Sequence, residues 1–353
     1  MKILRRHIAK SVASAIGTVV LVVVALDAIA LLIQELADMK GGYTFGEVAA
    51  YVALSLPAGL YNYLPLSCLV GCLIGLGMLA GGSELVVMRA AGVSLAQIIW
   101  AVMRPVLSLI FVGILLGEYV TPFTDQYAES RKAMALGQSS ALQANKGVWN
   151  REGRDFMFFA ALLPSGDLYG VSRFEFDNNG NLARSSYVKI AHYADREWQE
   201  QNGITSEFGD NQIIASRFET RAWASALSPE LLEVLVLGAE NLPLLRLYSY
   251  SRYLEKQGRD ATEFWLSFWK KALQPFAITS LVMIAISFIF GPLRQVTMGS
   301  RIFGGVMVGI LFRTSQDLLG PSSVLFGFSP LFAVLTPIAV CVVIGVLLLR
   351  RSG

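Results

Sequence analysis

Charged residues are scarce in this chain of 353 residues. Lys, Arg, Asp and Glu together make up 16% of it, against about 25% in a typical soluble domain. The scarcity is uneven, because residues 123–262 hold 18 of the 26 acidic and 15 of the 29 basic residues. The rest of the chain is almost uncharged, which excludes an ordinary soluble fold and predicts a membrane protein.

Cysteine and histidine are also rare, and their positions exclude several kinds of site. The three cysteines, Cys68, Cys72 and Cys341, lie in apolar runs, so no internal disulfide is possible in the polar middle of the chain. His7 and His192 have no neighbouring Cys or carboxylate ligands in the sequence, so no zinc site is predicted. Neither a GxxxxGK[ST] phosphate loop nor a nucleophile elbow occurs. The sequence therefore predicts no enzyme and no cofactor of its own.

Long apolar runs take the place of these features. A membrane-spanning helix needs about 20 mostly apolar residues. Six stretches qualify: about 11–33, 48–80, 96–120, 272–290, 302–320 and 329–349. The basic start resembles a signal peptide, but its apolar run is too long and no cleavage site follows promptly, so we interpret it as a retained first span.

Basic residues in the short connections predict the orientation of the spans. Lys40 is the only basic residue in the short loops on one face. The face with both termini has ten: Lys2, Arg5, Arg6, Lys10, Arg89, Arg104, Arg294, Arg301, Arg350 and Arg351. This asymmetry predicts cytoplasmic termini, and it places the polar block after Thr121 in the periplasm of a bacterial inner membrane.

Between residues 147 and 223 the polar block has the sequence pattern of β-strands: short aromatic and β-branched runs separated by turn residues. The runs DFMFFAALL, DLYGVSRFEFD, ARSSYVKIAHYA, REWQEQN and QIIASRFETRAW are typical of strands, and PSGD and NNGN are turn signals. Such spacing favours a sandwich or barrel-like β domain with helical tethers on both sides. The predicted fold is an α-helical membrane protein with six transmembrane helices and a periplasmic all-β domain between helices three and four. Its predicted domains are 1–122, 123–262 and 263–353.

A short helix, about 83–92, follows the Gly-Gly break at the end of the second span. Ser83 is expected to cap it, Glu84 to occupy the first turn, and Gly92 to end it. Two alternatives remain open: the helix lies on the membrane surface, or it docks into a groove on a cytoplasmic protein. In the second case Glu84 pairs with a basic residue and three apolar side chains fill a cleft. These are Leu85, Val86 and Met88.

Two long motifs carry a resemblance. LGLGMLAxxSELVVMxAxG is matched by residues 74–92 except for Ile74 at its first position, and SFIFGPLRxVxMGxR by residues 287–301. With the six spans and the β block, the chain resembles the LptF/LptG family of lipopolysaccharide export permeases over nearly its whole length. The motifs are closer to the LptG-type half of that pair than to the LptF-type half, which remains the alternative.

The resemblance implies the permease subunit of an ABC transporter without catalysis of its own. In the family, an LptF-type and an LptG-type chain form a heterodimer whose first and fifth helices make lateral gates. An LptB-type ATPase dimer, which uses ATP and Mg, binds beneath and faces the coupling helix. Lipopolysaccharide leaves the outer leaflet of the inner membrane for a jellyroll bridge that includes a single-span LptC-type protein. The resemblance also implies a jellyroll-like β domain, a membrane lipid environment and no nucleic acid partner.

The residues themselves and the resemblance together suggest candidate site residues. The predicted ATPase-coupling residues are Glu84, Leu85, Val86, Met88 and Arg89. Cations near the outer membrane surface are expected either to bind lipid A phosphates or simply to snorkel to water. The predicted substrate-binding residues are Lys40, Arg131, Lys132, Lys271 and Arg313. The family's outer lysines on the first helix align with Leu31, Ala37 and Asp38, which indicates a partly altered binding site.

Charges inside the spans need partners, since each costs about 2.5–3.5 kcal/mol at a helix centre. Arg313 and Asp317, four residues apart on span five, are expected to pair with each other. The alternative is that they meet substrate or the first helix of the partner permease. Asp27 in span one has no partner on its own helix, and we expect it to face the cavity or the LptC-type protein. A proton-coupled secondary transporter would also use buried carboxylates, but the two halves share no repeated motif.

Overall fold

The computed structural model describes residues 2–352 except for 41, 142–147, 164, 179, 195–196, 210–211, 224, 226, 230–231, 233–237, 257 and 291–296. Two compact units divide the chain. The first unit consists of Met1–Ile29, Leu56–Val120 and Pro243–Gly353. The second unit consists of Ala30–Ser55 and Thr121–Leu242.

Long apolar helices form most of the chain. In chain order the helices are α1 (Lys2–Ala37), α2 (Phe45–Gly81), α3 (Glu84–Ala90), α4 (Leu95–Leu115), a π-helical turn (Leu116–Val120), α5 (Thr121–Ala141), α6 (Leu244–Lys256), α7 (Thr262–Phe290), α8 (Met298–Phe326) and α9 (Pro330–Ser352). Six segments of the described chain are long and apolar enough to span a membrane: α1, α2, α4 with most of α5, α7, α8 and α9. They coincide with the six predicted spans, which confirms that prediction.

The first unit has its core where α2 packs against its neighbours. Leu69, Leu73 and Leu76 of α2 are fully buried in a large apolar cluster. Pro57 and Pro65 lie within α2 without ending it, as predicted for a single second span. Of the second motif, residues 291–296 lie outside the described part of the chain, and Arg301 beyond them lies in the first turns of α8.

The second unit contains one antiparallel sheet. Its strands are β1 (Val148–Glu152), β2 (Asp155–Leu162), β3 (Leu168–Phe176), β4 (Leu182–Ala194), β5 (Glu197–Phe208) and β6 (Ile213–Trp223). Each strand pairs with the next in sequence, so β1 and β6 form the two edges. The predicted β insertion is confirmed. Its described strands form a single antiparallel meander, so of the two predicted forms, sandwich or barrel-like, the two-sheet sandwich is wrong, and β1 was not among the predicted runs.

Turn chemistry and aromatic packing explain the sheet. Glu152 pairs with Asp155 across a two-residue turn in which Gly153 has φ of +64°, a conformation that glycine adopts without strain. The predicted PSGD and NNGN turns fall between β2 and β3 and between β3 and β4, although positions 164 and 179 lie outside the described residues. On the buried face, Trp198 is fully enclosed and its Nε1–H donates to the Leu227 carbonyl at 2.8 Å.

Candidate functional site

The short helix α3 joins α2 to α4 and is the first candidate site. Ser83 precedes it with φ of +58° and makes no side-chain cap hydrogen bond, so the prediction that Ser83 caps the helix is wrong. The predicted end is confirmed: Gly92 has φ of +85°, and its N–H donates to the Arg89 carbonyl at 3.0 Å. The next N–H, from Val93, donates to the Met88 carbonyl at 3.1 Å, which closes the helix end in the Schellman pattern.

The two faces of α3 differ sharply. Leu85 and Met88 are 4% exposed and belong to the core of the first unit, whereas Val86 and Val87 are 53% and 65% exposed. The prediction that Leu85 and Met88 fill a partner's cleft is therefore wrong, because their spacing of three places both on the inner face. Val86 stays a candidate contact, and Val87, which the sequence reasoning missed, joins it.

Glu84 makes a contact that the sequence did not indicate. Its Oε2 lies 2.9 Å from Nε2 of His7 on α1, and both side chains are about half exposed. His7 has no carboxylate neighbour in the sequence, but in the folded chain Glu84 is one. Arg89 lies on the exposed part of α3. Within the described residues, no group of three or more His, Cys, Asp or Glu side chains is placed to hold a metal ion.

The charges in the spans of the first unit form a second candidate site. Arg313 and Asp317 on α8 lie 3.7 Å apart, which confirms their predicted pairing. Asp27 accepts a hydrogen bond from the Tyr63 hydroxyl on α2 at 3.0 Å, a partner that one sequence did not reveal. The guanidinium of Arg313 also lies 5.3 Å from the centre of the Tyr63 ring, within cation–π range. Tyr63 therefore contacts both α1 and α8.

A third cluster, within the second unit, surrounds Lys132 on α5. Lys132 is 5% exposed, and its Nζ donates to the carboxylates of Glu35 and Asp38. The rings of Tyr43 and Tyr51 lie 5.5 Å and 5.2 Å from the ammonium. A buried ammonium that already faces two carboxylates has a structural partner within the chain, and its predicted contact with substrate stays a prediction.

The surroundings of Lys132 also affect Tyr43, which lies between α1 and α2. Its hydroxyl donates to Glu35 at 2.9 Å. Burial, together with this hydrogen bond to a carboxylate, raises the pKa of Tyr43 far above its usual range, so the hydroxyl stays protonated.

The remaining predicted substrate residues have different surroundings. Arg131 forms a two-point ion pair with Glu47, at 2.5 Å and 3.1 Å, so its charge is matched within the chain. Lys40 is exposed, and Lys271 is partly buried on α7. The structure thus divides the predicted set: Arg131, Lys132 and Arg313 have carboxylate partners at hand, whereas Lys40 is open to a ligand.

Arg301 is a contact residue that the site assignment missed. It is buried on α8, and its Nη1 donates to the carbonyl of Gly77 on α2 at 3.0 Å. Gly77 lies in the last turns of α2, where backbone carbonyls carry the negative end of the helix dipole and favour a cation. The only sequence signal was the place of Arg301 at the end of the second motif.

Known proteins are similar to this chain over nearly its whole length. The protein-family model described as lipopolysaccharide export system permease LptF/LptG matches residues 6–351. The lipopolysaccharide export system permease protein LptG of Haemophilus influenzae is 33% identical over 352 residues, which cover 99% of this chain and 98% of that protein. The protein of the same name from Escherichia coli is 31% identical over 355 residues, with 99% of both chains covered.

Proposed function

The chain belongs to the LptF/LptG family of lipopolysaccharide export permeases, and we propose that it is the LptG-type half of the permease pair. Membership and the six apolar helices make it a multi-pass protein of the inner membrane and a subunit of a transporter. The relatives at 31% and 33% identity bear the LptG name, which favours this half over the LptF-type half.

The proposed machine has this chain paired with an LptF-type permease. An LptB-type ATPase dimer hydrolyses ATP with Mg, and the permease pair converts that work into extraction of lipopolysaccharide from the outer leaflet. The lipid then passes to a periplasmic bridge that includes a single-span LptC-type protein. This chain contributes no catalytic residue and holds no cofactor in the proposed mechanism.

One observation carries the proposal: the solvent-exposed face of α3 presents Glu84, Val86 and Val87 together. Valines that are more than half exposed beside a carboxylate suit a groove with an apolar floor and a basic rim. Leu85 and Met88 pack the opposite face of the helix into the core of the first unit, so a force applied to the exposed face is transmitted into that core.

The orientation proposed here follows the ten basic residues of the short connections, which place α3 and both termini in the cytoplasm. The sheet of the second unit is then periplasmic. For the substrate we propose Lys40 and Lys271 as phosphate contacts at the outer leaflet. Arg131 and Lys132 hold the second unit together instead, through Glu47, Glu35 and Asp38.

Co-purification tests the proposal. Membranes expressing the tagged chain with its partner permease are expected to yield a bound ATPase, and Glu84→Lys is expected to remove both the ATPase and lipopolysaccharide release. Glu263→Lys is the matched control, because Glu263 is also an exposed carboxylate in the first turn of a helix, α7. If no ATPase accompanies the wild-type chain, or if Glu84→Lys retains it as well as Glu263→Lys does, the proposal is wrong.

A further inference from the structure

Close packing joins α1 to α2 along a stretch near α3. A Cβ atom added at Gly71 would lie 2.5 Å from the Cα of Ile16, and one at Gly75 would lie 2.9 Å from the Cα of Val12. No side chain fits between these backbones, as is typical of small-residue contacts between membrane helices. The two helices therefore have little freedom to slide past each other here.

A similar arrangement joins α8 to α2 from another side. A Cβ atom at Gly305 would lie 2.2 Å from Cδ1 of Leu73, and one at Gly309 would lie 2.3 Å from Cδ1 of Leu66. The two glycines, four residues apart, form a notch on α8 that leucines of α2 fill. The helix α2 is thus interlocked with both α1 and α8.

Polar contacts strengthen these interfaces near α3. Arg301 of α8 donates to the carbonyl of Gly77, four residues before α2 ends at Gly81. On the other side, Glu84 of α3 lies against His7 of α1. A displacement of α3 therefore meets α1 directly and meets α8 through the last turns of α2.

Tyr63 provides the matching contact farther along α2. Its hydroxyl donates to Asp27 of α1, and its ring faces the guanidinium of Arg313 of α8. The backbone of α2 also approaches Asp27 closely, since a Cβ atom at Gly59 would lie 2.7 Å from Asp27 Oδ2. One side chain thus contacts both α1 and α8, at a distance of fourteen residues from Gly77 along the helix.

We propose that α2 is the element through which a displacement of α3 moves α1 and α8 together, with Tyr63 as the positioning residue that keeps these two helices in step. The inference rests on the proposed function, since the displacement of α3 comes from the ATPase. Coupling between distant sites needs a contiguous set of packed and hydrogen-bonded contacts, and α2 has such contacts with both helices at two separate levels.

The substitution Tyr63→Phe tests the positioning role, because it removes the bond to Asp27 and keeps the ring. In proteoliposomes containing the complete complex and lipopolysaccharide, we expect ATP hydrolysis to continue while the lipid released per ATP falls at least about fivefold. Tyr61→Phe is the matched control. Tyr61 lies two residues before Tyr63, and its ring packs against Gly117. Loss of its hydroxyl should leave the amount of lipid released per ATP unchanged.

A double-variant comparison separates positioning from simple damage to the fold. Asp27→Leu breaks the same hydrogen bond. The double variant, Tyr63→Phe with Asp27→Leu, should therefore release about as much lipid per ATP as each single variant, to within about twofold. Additive losses would overturn the inference, as would a Tyr63→Phe ratio equal to that of Tyr61→Phe. An absence of ATP-driven release by the wild-type complex would instead overturn the proposed function, and the inference with it.

Discussion

Lys132 and Glu35, 97 residues apart in the chain, form an ion pair in which both side chains are almost fully buried. Asp38 provides a second carboxylate 3.1 Å from the same ammonium. The pair connects the end of α1 to α5 within the second unit. It gives this lysine a structural role, in a position where the family resemblance suggested a substrate contact.

Lys132→Met is expected to destabilise the protein. Removal of one member of a buried ion pair leaves Glu35 without its cation, at a cost of about 3–5 kcal/mol. Thermal unfolding in detergent measures the loss, and Lys132→Met combined with Glu35→Met should recover most of it. Arg131→Ala is the control, because that side chain is far more exposed and should change the unfolding temperature little. Equal unfolding temperatures for Lys132→Met and Arg131→Ala would contradict the structural role.

Substitutions on the two faces of α3 should affect different properties: ATPase binding on the exposed face and thermal stability on the buried face. Val87→Asp changes the exposed face, so we expect unaltered thermal stability and about tenfold less co-purified ATPase. Leu85→Ala opens the buried face and should cost about 2–5 kcal/mol of stability. Unfolding curves and the ATPase yield, measured on the same preparations, distinguish the two. A stable Leu85→Ala protein with lost ATPase would instead mean that Leu85 points toward the partner.

The two serines before α3 and α4 should respond differently to alanine. Ser94 accepts a hydrogen bond from the N–H of Gln97 as a true N-cap, so Ser94→Ala should cost about 0.5–2 kcal/mol. Ser83 makes no such bond, so Ser83→Ala should be nearly neutral. Ser83→Gly should be neutral or stabilising, because glycine adopts the positive φ more easily. Thermal unfolding of the three variants checks this order.

Alanine at two glycines of α2 should separate packing from helix propensity. A Cβ atom at Gly71 would meet the backbone of Ile16, so Gly71→Ala must push α1 away, and we expect a loss of about 1–3 kcal/mol. Nothing lies within 4 Å of such an atom at Gly81, so Gly81→Ala should be tolerated. If both variants melt at the wild-type temperature, the close contact between α1 and α2 does not exist in the membrane.

Several features could be predicted because they depend on neighbours in the sequence. An apolar run of about 20 residues predicts a membrane-spanning helix, and all six runs lie in helices that are long and apolar enough to span a membrane. Alternation and turn residues indicated most strands of the β insertion, and Gly92 ended α3 as expected. Strand β1 was missed because its short sequence resembles that of a loop. The positive φ of Ser83 was missed because a serine at this position is also typical of an ordinary N-cap.

Partners across the fold were beyond local reasoning. His7 and Glu84 are 77 residues apart, and Tyr63 and Asp27 are 36 apart. Each of these side chains has a plausible solvent-facing or partner-facing role when only its own helix is considered. The choice depends on which helices pack together and in which rotation, and that information does not reside in any single segment.

The sequence by itself determined the number of spans, the position of the β insertion and the limits of the short helix α3. The physical reason is that hydropathy, turn propensity and helix-ending glycines act over a few residues. Only the tertiary structure decided that Lys132 is buried between Glu35 and Asp38, and that Val86 and Val87, rather than Leu85 and Met88, face outward. Every residue of the LVVM run is apolar, so the packing of α3 against the core, and not its composition, selects the exposed face.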